Sequence, residues 1–270
     1  MKIRLVAIDM DGTLLNSEKK LSPGNCQAIK AASRQGVKIV LATGRPITGI
    51  KPFLEQTGLW RPKQYAITLN GATVIENGTR KRLDHFSMSY VAYRIFSDYA
   101  RKHGYGIQIQ TNEALYTTDK KIAPQTIHES KTTFQPIYQV DREYIMHLGY
   151  IHKLQLLGEP KKMDEAIAGI APDLKRIYQI IRQVSYGVDV MSLEAGKGNG
   201  LIGLSSKLHI PLAQTMALGD GGNDVSILRN AGLGVAMANA VPAAKAAADV
   251  ITASNNEDGV ARALKKYVLK

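Results

Sequence analysis

The chain has 270 residues, 44% of them apolar, a formal net charge of +12 and a single cysteine, which suits a globular protein of one large domain or a domain with an insert. No apolar run approaches the ~20 residues that span a bilayer, and the N-terminal apolar stretch is too short for a signal peptide, so a cytoplasmic protein away from membranes is expected. Cys26 alone excludes an internal disulfide and any cysteine-built metal cage, in agreement with a reducing compartment.

An apolar run over residues 3–8 predicts a short strand that ends at Asp9-Met10-Asp11-Gly12-Thr13, two carboxylates one residue apart on a glycine turn. Such a strand puts its carboxylates at the carboxyl edge of a sheet, where open α/β folds keep their crevices, and suggests phosphate chemistry. Asp-Gly is also a common turn dipeptide, and flanking apolar residues would make it a hairpin. Ser22 as N-cap, Pro23 at the first helical position and Gly36 as a stop frame a helix, in which Cys26 has a packing role. A second strand, over 37–42, runs into Ala42-Thr43-Gly44-Arg45-Pro46. Thr43 reads either as the N-cap of a helix that Pro46 opens or as the hydroxyl of a phosphate cradle. A third strand covers 65–69, and the alternation with helices predicts a parallel sheet.

Between residues 84 and 189 the rhythm changes to a longer amphipathic helix over 90–103 and strands over 107–110, 153–157 and about 177–184. The pattern predicts an α+β domain inserted into an α/β domain made of 1–83 and 190–270. The basic surplus lies outside this insert, which holds 13 Lys and Arg against 12 Asp and Glu, while the remainder carries a net +11. No basic run exceeds Arg80-Lys81-Arg82 and no aromatic residues alternate with basic ones, so the charge reads as attraction for small anions and no nucleic-acid partner is expected.

After the insert, Lys197 lies within Gly196-Lys197-Gly198-Asn199-Gly200, just before a helix over 200–208. A lone lysine is most simply a surface charge, but flanking glycines would let this one reach a phosphate or carboxylate. A strand over 215–218 runs into Gly219-Asp220-Gly221-Gly222-Asn223-Asp224, hard oxygen ligands suited to Mg²⁺, followed by a helix to residue 230. Short strands over 233–236 and 250–252 and a helix over 260–267 complete the chain. Calcium-loop spacing fails at both acidic clusters; counted from Asp9, glycine falls at position 4 and Lys20 at position 12. The six histidines show no metal-binding pair and are read as structural.

In order, Asp9-x-Asp11-Gly12-Thr13, Thr43-Gly44-Arg45, Lys197 and Gly219-Asp220-x-x-Asn223-Asp224 resemble the four motifs of the haloacid dehalogenase (HAD) superfamily. Asn70-Gly71-Ala72, the large insert, His128-Glu129-Ser130 and Glu257-Asp258-Gly259-Val260 resemble its Cof-type phosphatases, and among them the YidA-type sugar phosphatases. The resemblance implies a Rossmann-like core with a parallel sheet and an inserted α+β cap of the C2B type that covers the site and selects the substrate. It implies Asp9 as a nucleophile forming an aspartyl-phosphate, and Asp11 as acid and then base, with its main-chain carbonyl on Mg²⁺. It further implies Asp9, Asp11 and Asp220 around the metal, and Asp224 supporting the metal's waters and the lysine. Met10, Thr43, Gly44, Lys197 and Asn223 match phosphate-binding positions. The residue before Lys197 is glycine where relatives often have a polar one, and residues 192–195 follow no tight pattern.

The chemistry needs these residue types. A carboxylate and an anionic phosphate repel, so a divalent cation and a lysine must neutralise their encounter. An acid two residues after the nucleophile can protonate the leaving oxygen and then deprotonate the attacking water, which dehalogenase and phosphonatase relatives cannot do. The expectation is Mg²⁺-dependent hydrolysis of small phosphorylated metabolites, most of all sugar phosphates. The alternatives are a phosphomutase and a non-catalytic, basic nucleic-acid-binding protein.

Overall fold

The computed structural model describes residues 2–269. They form two compact units, one made of the chain up to Gly44, Lys51–Asp84 and everything from Gly196 onward, the other of Arg45–Ile50 and His85–Ala195. In chain order the first unit opens with strands β1 (Leu5–Ile8), β2 (Lys38–Ala42), β3 (Tyr65–Thr68), β4 (Thr73–Glu76) and β5 (Arg82–His85). The second unit carries β6 (Gly106–Gln110), β7 (Leu115–Thr117), β8 (Ile137–Gln139), β9 (Lys153–Leu157), β10 (Tyr178–Val184) and β11 (Gly187–Ser192). The chain then returns to the first unit with β12 (Thr215–Gly219), β13 (Leu233–Ala236) and β14 (Val250–Ile251).

The eight-stranded sheet runs β14-β13-β12-β1-β2-β3-β4-β5. Six neighbouring strands, β14 to β3, are parallel, whereas β4 pairs antiparallel with β3 through Tyr65↔Glu76 to Thr68↔Thr73. The sheet is therefore mixed, because a short turn through Asn70-Gly71 returns the chain beside β3 without a crossover helix. β1 sits in the middle, and Leu5, Val6, Ala7 and Ile8 are all fully buried, as expected of a strand covered on both faces. From β1 the chain builds outward to β2 and β3 on one side, and β12 to β14 fill the other. Strand order thus reverses between β1 and β12, the kind of switch point beyond whose carboxyl ends open α/β sheets place their binding crevices. Ile8 pairs with Leu218 and with Leu41, so Asp9 lies level with Gly219 and Ala42, the last residues of β12 and β2.

The helix Pro23–Arg34 begins as its sequence predicts, with the Ser22 side chain accepting the Asn25 amide. The helix Lys197–Lys207 starts three residues earlier than expected, since extended Gly196 is its N-cap and the glycines at 198 and 200 are helical. Gly200 is kept by close packing: a Cβ there would come within 2.7 Å of Ile67.

The second unit has a six-stranded sheet, β10-β11-β9-β6-β7-β8. Its central strands β6, β9 and β11 mostly alternate apolar and polar residues. Ile107, Ile109, Leu154, Leu156, Val188 and Val190 join Tyr93 and Phe96 of the helix Tyr90–His103 in an apolar core. The opposite face carries Gln108, Gln110, Lys153, Gln155 and Asp189, all buried.

Candidate active site

Asp9, Lys197 and Asp224 meet beyond the ends of β1 and β12. The Lys197 Nζ lies 2.5 Å from Asp9 Oδ1 and 2.6 Å from Asp224 Oδ1, and all three side chains are buried. Lys197 is therefore no surface charge. Asp224 Oδ2 accepts the backbone N–H groups of Asp220 at 3.0 Å and Gly221 at 2.9 Å, which closes the Gly219–Asp224 loop on itself. Thr13 donates its hydroxyl to Asp220 Oδ1 at 2.6 Å and so ties the first acidic turn to this loop. Gly12, at φ +90°, lies where a Cβ would fall 2.3 Å from Asp220 Oδ2, so only glycine lets the two loops approach.

Asp9, Asp220 and Asp224 present carboxylate oxygens within 4.8 Å of one another. Burial and the charge of Asp224 push the Asp9 carboxyl far above the ordinary range, to about 8, against the opposing pull of Lys197. Burial likewise raises Asp220, with the Thr13 hydrogen bond opposing. Burial alone would lower the Lys197 ammonium, but Asp224 and Asp9 more than offset it and hold it above its usual value. Three carboxylates thus face one ammonium, an excess of negative charge that suits a divalent cation bound by hard oxygen donors. Lone-pair use separates their roles: Asp224 Oδ2 is filled by two N–H donors, which leaves Asp9 and Asp220 the better-placed ligands.

Asp11 stands apart from this cluster. Its carboxylate is over one-third exposed and pairs with Lys19 Nζ at 2.9 Å. Met10 is wholly buried, and its carbonyl accepts the Leu15 amide at 2.9 Å, so its side chain fills the core and only its main chain can reach a ligand. Thr43 is buried at the end of β2; its carbonyl accepts the Asn70 amide at 2.9 Å. It is no N-cap: the following helix starts at Ile47, whose amide is taken by Asn112 Oδ1 at 2.9 Å. Gly44 follows Thr43 at a bend, while Arg45 groups with the second unit. Asn223 donates to Asn70 Oδ1 at 3.1 Å, and Asn70 holds a left-handed backbone at φ 55°. At Gly71, φ +85°, a Cβ would lie 2.1 Å from the Gly196 carbonyl, so this turn seats the start of the Lys197 helix.

Sequence reasoning missed Lys19, and nothing in its spacing marks it. It also left Thr13 without a role, although an acceptor-rich loop facing a β-turn hydroxyl is the kind of contact only a folded chain reveals. The remaining motifs serve local structure. Glu129 accepts the Tyr186 hydroxyl at 2.7 Å and Ser130 donates to the Gln135 carbonyl at 2.6 Å. Asp258 accepts the Ser22 hydroxyl, and Glu257 caps Ser254.

The family model for haloacid dehalogenase-like hydrolases matches residues 6–264. The chain belongs to that family. Among its relatives, a Streptococcus pyogenes protein named "Putative phosphatase M6_Spy0533" is 36% identical over 269 residues, covering all of both chains. The Bacillus subtilis 5-amino-6-(5-phospho-D-ribitylamino)uracil phosphatase YcsE is 30% identical, covering 99% of this chain and 96% of its own. In three dimensions this HAD-like hydrolase is similar to a haloacid dehalogenase-like hydrolase of Bacteroides thetaiotaomicron, with a TM-score of 0.88, 27% identity and coverage of 98% and 99% of the two chains. Family and named relatives support phosphatase activity. Among the described residues no helix is long and apolar enough to cross a membrane.

Proposed function

We propose that this HAD-like hydrolase removes phosphate from small, hydroxyl-rich phosphate monoesters, sugar phosphates foremost, with Mg²⁺ and an aspartyl-phosphate on Asp9. One observation carries the reading: Asp9 is held by Lys197 beside two further carboxylates at the switch point of the sheet. Asp9, Asp220 and the Asp11 carbonyl would hold Mg²⁺, which would supply the positive charge that lets a carboxylate and a phosphate approach. Lys197 fixes the Asp9 carboxyl and favours its ionised form, a bound cation would complete that ionisation, and Asp224 keeps Lys197 in place. Asp9 attacks phosphorus, and the oxygen of the leaving alcohol takes a proton from Asp11. Asp11 then takes a proton from the water that cleaves the acyl phosphate. Lys197, Thr43, Asn223 and main-chain groups of Met10 and Gly44 stabilise the phosphoryl oxygens, where phosphoryl transfer gains most.

The hydroxyl-rich substrate is supported by two observations. YcsE carries in its name a phosphate on a ribityl chain, a sugar-alcohol phosphate. In the second unit, which we assign as the substrate-selecting domain, Gln108 and Gln110 present buried side-chain carbonyl oxygens without a hydrogen-bond partner, an environment that suits sugar hydroxyls.

Phosphate release across a panel of phosphorylated metabolites, run with Mg²⁺ or EDTA and with Asp9→Asn in parallel, tests the reading. The wild type with Mg²⁺ is expected to favour sugar and sugar-alcohol phosphates and to lose activity with EDTA. Full activity in Asp9→Asn would overturn the nucleophile.

A further inference from the structure

Within the turn that carries Asp11, the Leu15 N–H holds the Met10 carbonyl at 2.9 Å, but the tip between them is more loosely held. Thr13 N–H reaches the Met10 carbonyl at 3.4 Å and Leu14 N–H the Asp9 carbonyl at 3.2 Å, both longer than the usual 2.9–3.0 Å. Further short ties to the turn come from distant parts of the chain. Asn239, 227 residues away, donates from Nδ2 to the Gly12 carbonyl at 2.8 Å. Asn255, 240 residues from Leu15, donates from its own Nδ2 to the Leu15 carbonyl at 2.9 Å. The two asparagines are joined, because the Asn255 N–H donates to Asn239 Oδ1 at 3.0 Å. That bond settles the Asn239 amide: its oxygen faces a donor, so its NH₂ faces the Gly12 carbonyl.

The same segment grips the other acidic loop. Val241 N–H donates to the Asp220 carbonyl at 2.9 Å, and Met237 N–H to the Gly219 carbonyl at 3.1 Å. Residues 237–241 therefore bracket the turn of Asp11 and the loop of Asp220 together. Asn239 is exposed and fills no core space, and neither asparagine lies in the four motifs.

We propose that Asn239 and Asn255 are positioning residues for the reaction, a joined amide pair that holds the turn 12–15, and with it Asp11 and Thr13, in register with Asp220. This rests on the phosphatase reading above. An acid/base must be placed to within a fraction of an ångström, and a displacement of about 1 Å costs on the order of 10²-fold in rate. Gly12 holds a left-handed backbone angle, so the Asn239 bond to its carbonyl acts at the tip of the turn, beside the Thr13 bond to Asp220 and the Lys19 pairing with Asp11.

The test uses Asn239→Ala and Asn255→Asp; the second keeps the volume and backbone N–H of Asn255 and puts a carboxylate oxygen in place of its donor to Leu15. Steady-state kinetics on an aryl phosphate with saturating Mg²⁺ are compared with amide hydrogen exchange of the segment 10–15. Each variant is expected to lower kcat roughly 10- to 100-fold with KM within about twofold of wild type. Exchange at the Leu14 and Leu15 amides is expected to speed about tenfold or more while the rest of the sheet keeps its protection. Unchanged exchange in the turn, or a rise in KM in place of the fall in kcat, overturns the proposal. A wild type without turnover would overturn the phosphatase reading instead, and the exchange measurement alone would then decide whether the pair holds the turn.

Discussion

Asp9 is expensive to bury. Its carboxyl is pushed up by desolvation and by Asp224, and only Lys197 pulls against them, so the site holds more negative charge than the fold can neutralise. Function and stability are expected to part company here. Asp9→Asn removes the cost of ionising a buried carboxyl while keeping an acceptor for Lys197, so in EDTA at about pH 8 the variant should melt higher than wild type, although it turns over at least ~10³-fold more slowly. Thermal melts beside phosphate-release assays check both halves. Lys197→Met should do the reverse and lose stability together with activity, because it leaves Asp9 and Asp224 facing each other without a counter-charge. At this scale the sequence was informative about identity and silent about partners. Asp9, Lys197, Asp220 and Asp224 could be picked out from carboxylates, glycines and spacing. Lys19 beside Asp11, the Thr13 bond to Asp220 and the bridge from Asn223 to Asn70 could not, since each joins residues whose separation says nothing about contact.

The loops after β1 and β12 do the placing, and the elements behind them make those loops rigid. Asn25, in the first turn of the helix Pro23–Arg34, is completely buried; it donates to the Leu14 carbonyl at 3.1 Å and accepts the Ala261 amide at 2.9 Å. It thereby joins the end of the Asp11 turn to the C-terminal helix Gly259–Tyr267. Asn25→Ala leaves a buried carbonyl and a buried N–H without partners, at a cost of about 2–4 kcal/mol. In a chain of this size that should lower Tm by roughly 5–15 °C, measurable by calorimetry. Element positions were readable where local signals are strong. The helix over 90–103 and the strand over 153–157 match to the residue, because one has a capping serine and a regular apolar face and the other is a fully buried run. Strands β4, β5, β7, β8 and β11 went unread; most are three or four residues long, and their pairing comes from neighbours in space. The Lys197 helix began early for a related reason, since glycines that weaken a helix in isolation are required here by close packing.

Across the whole molecule, charge is distributed to match the proposed chemistry. The +11 surplus outside residues 84–189 attracts anions, while the carboxylates of the site suit a cation. The two tendencies give a testable pH dependence. Without a divalent cation, Asp9 has a folded value raised to about 8 against an unfolded value near 4, so its contribution to stability is complete below about pH 4 and is lost as pH rises toward 8. Asp220 acts in the same direction. Mg²⁺ should reverse that loss, and the Tm difference between Mg²⁺ and EDTA should therefore widen steadily from pH 5 to pH 8. A difference that stays flat with pH would show that the cation does not bind at these carboxylates.

The sequence by itself determined the class of fold and the chemical inventory. Alternating apolar runs and caps required an α/β sheet with an α+β insertion, and acidic, glycine-rich strand ends required a site at its carboxyl edge. These are local properties, written in periodicity and in the chemistry of single side chains. Tertiary structure alone decided that β4 turns back antiparallel, that Asp11 stands outside the buried carboxylates, and that Asn239 and Asn255 reach across more than two hundred residues to hold its turn. Those outcomes depend on which donors and acceptors the folded chain brings within three ångströms of each other, and spacing along the sequence carries no record of that.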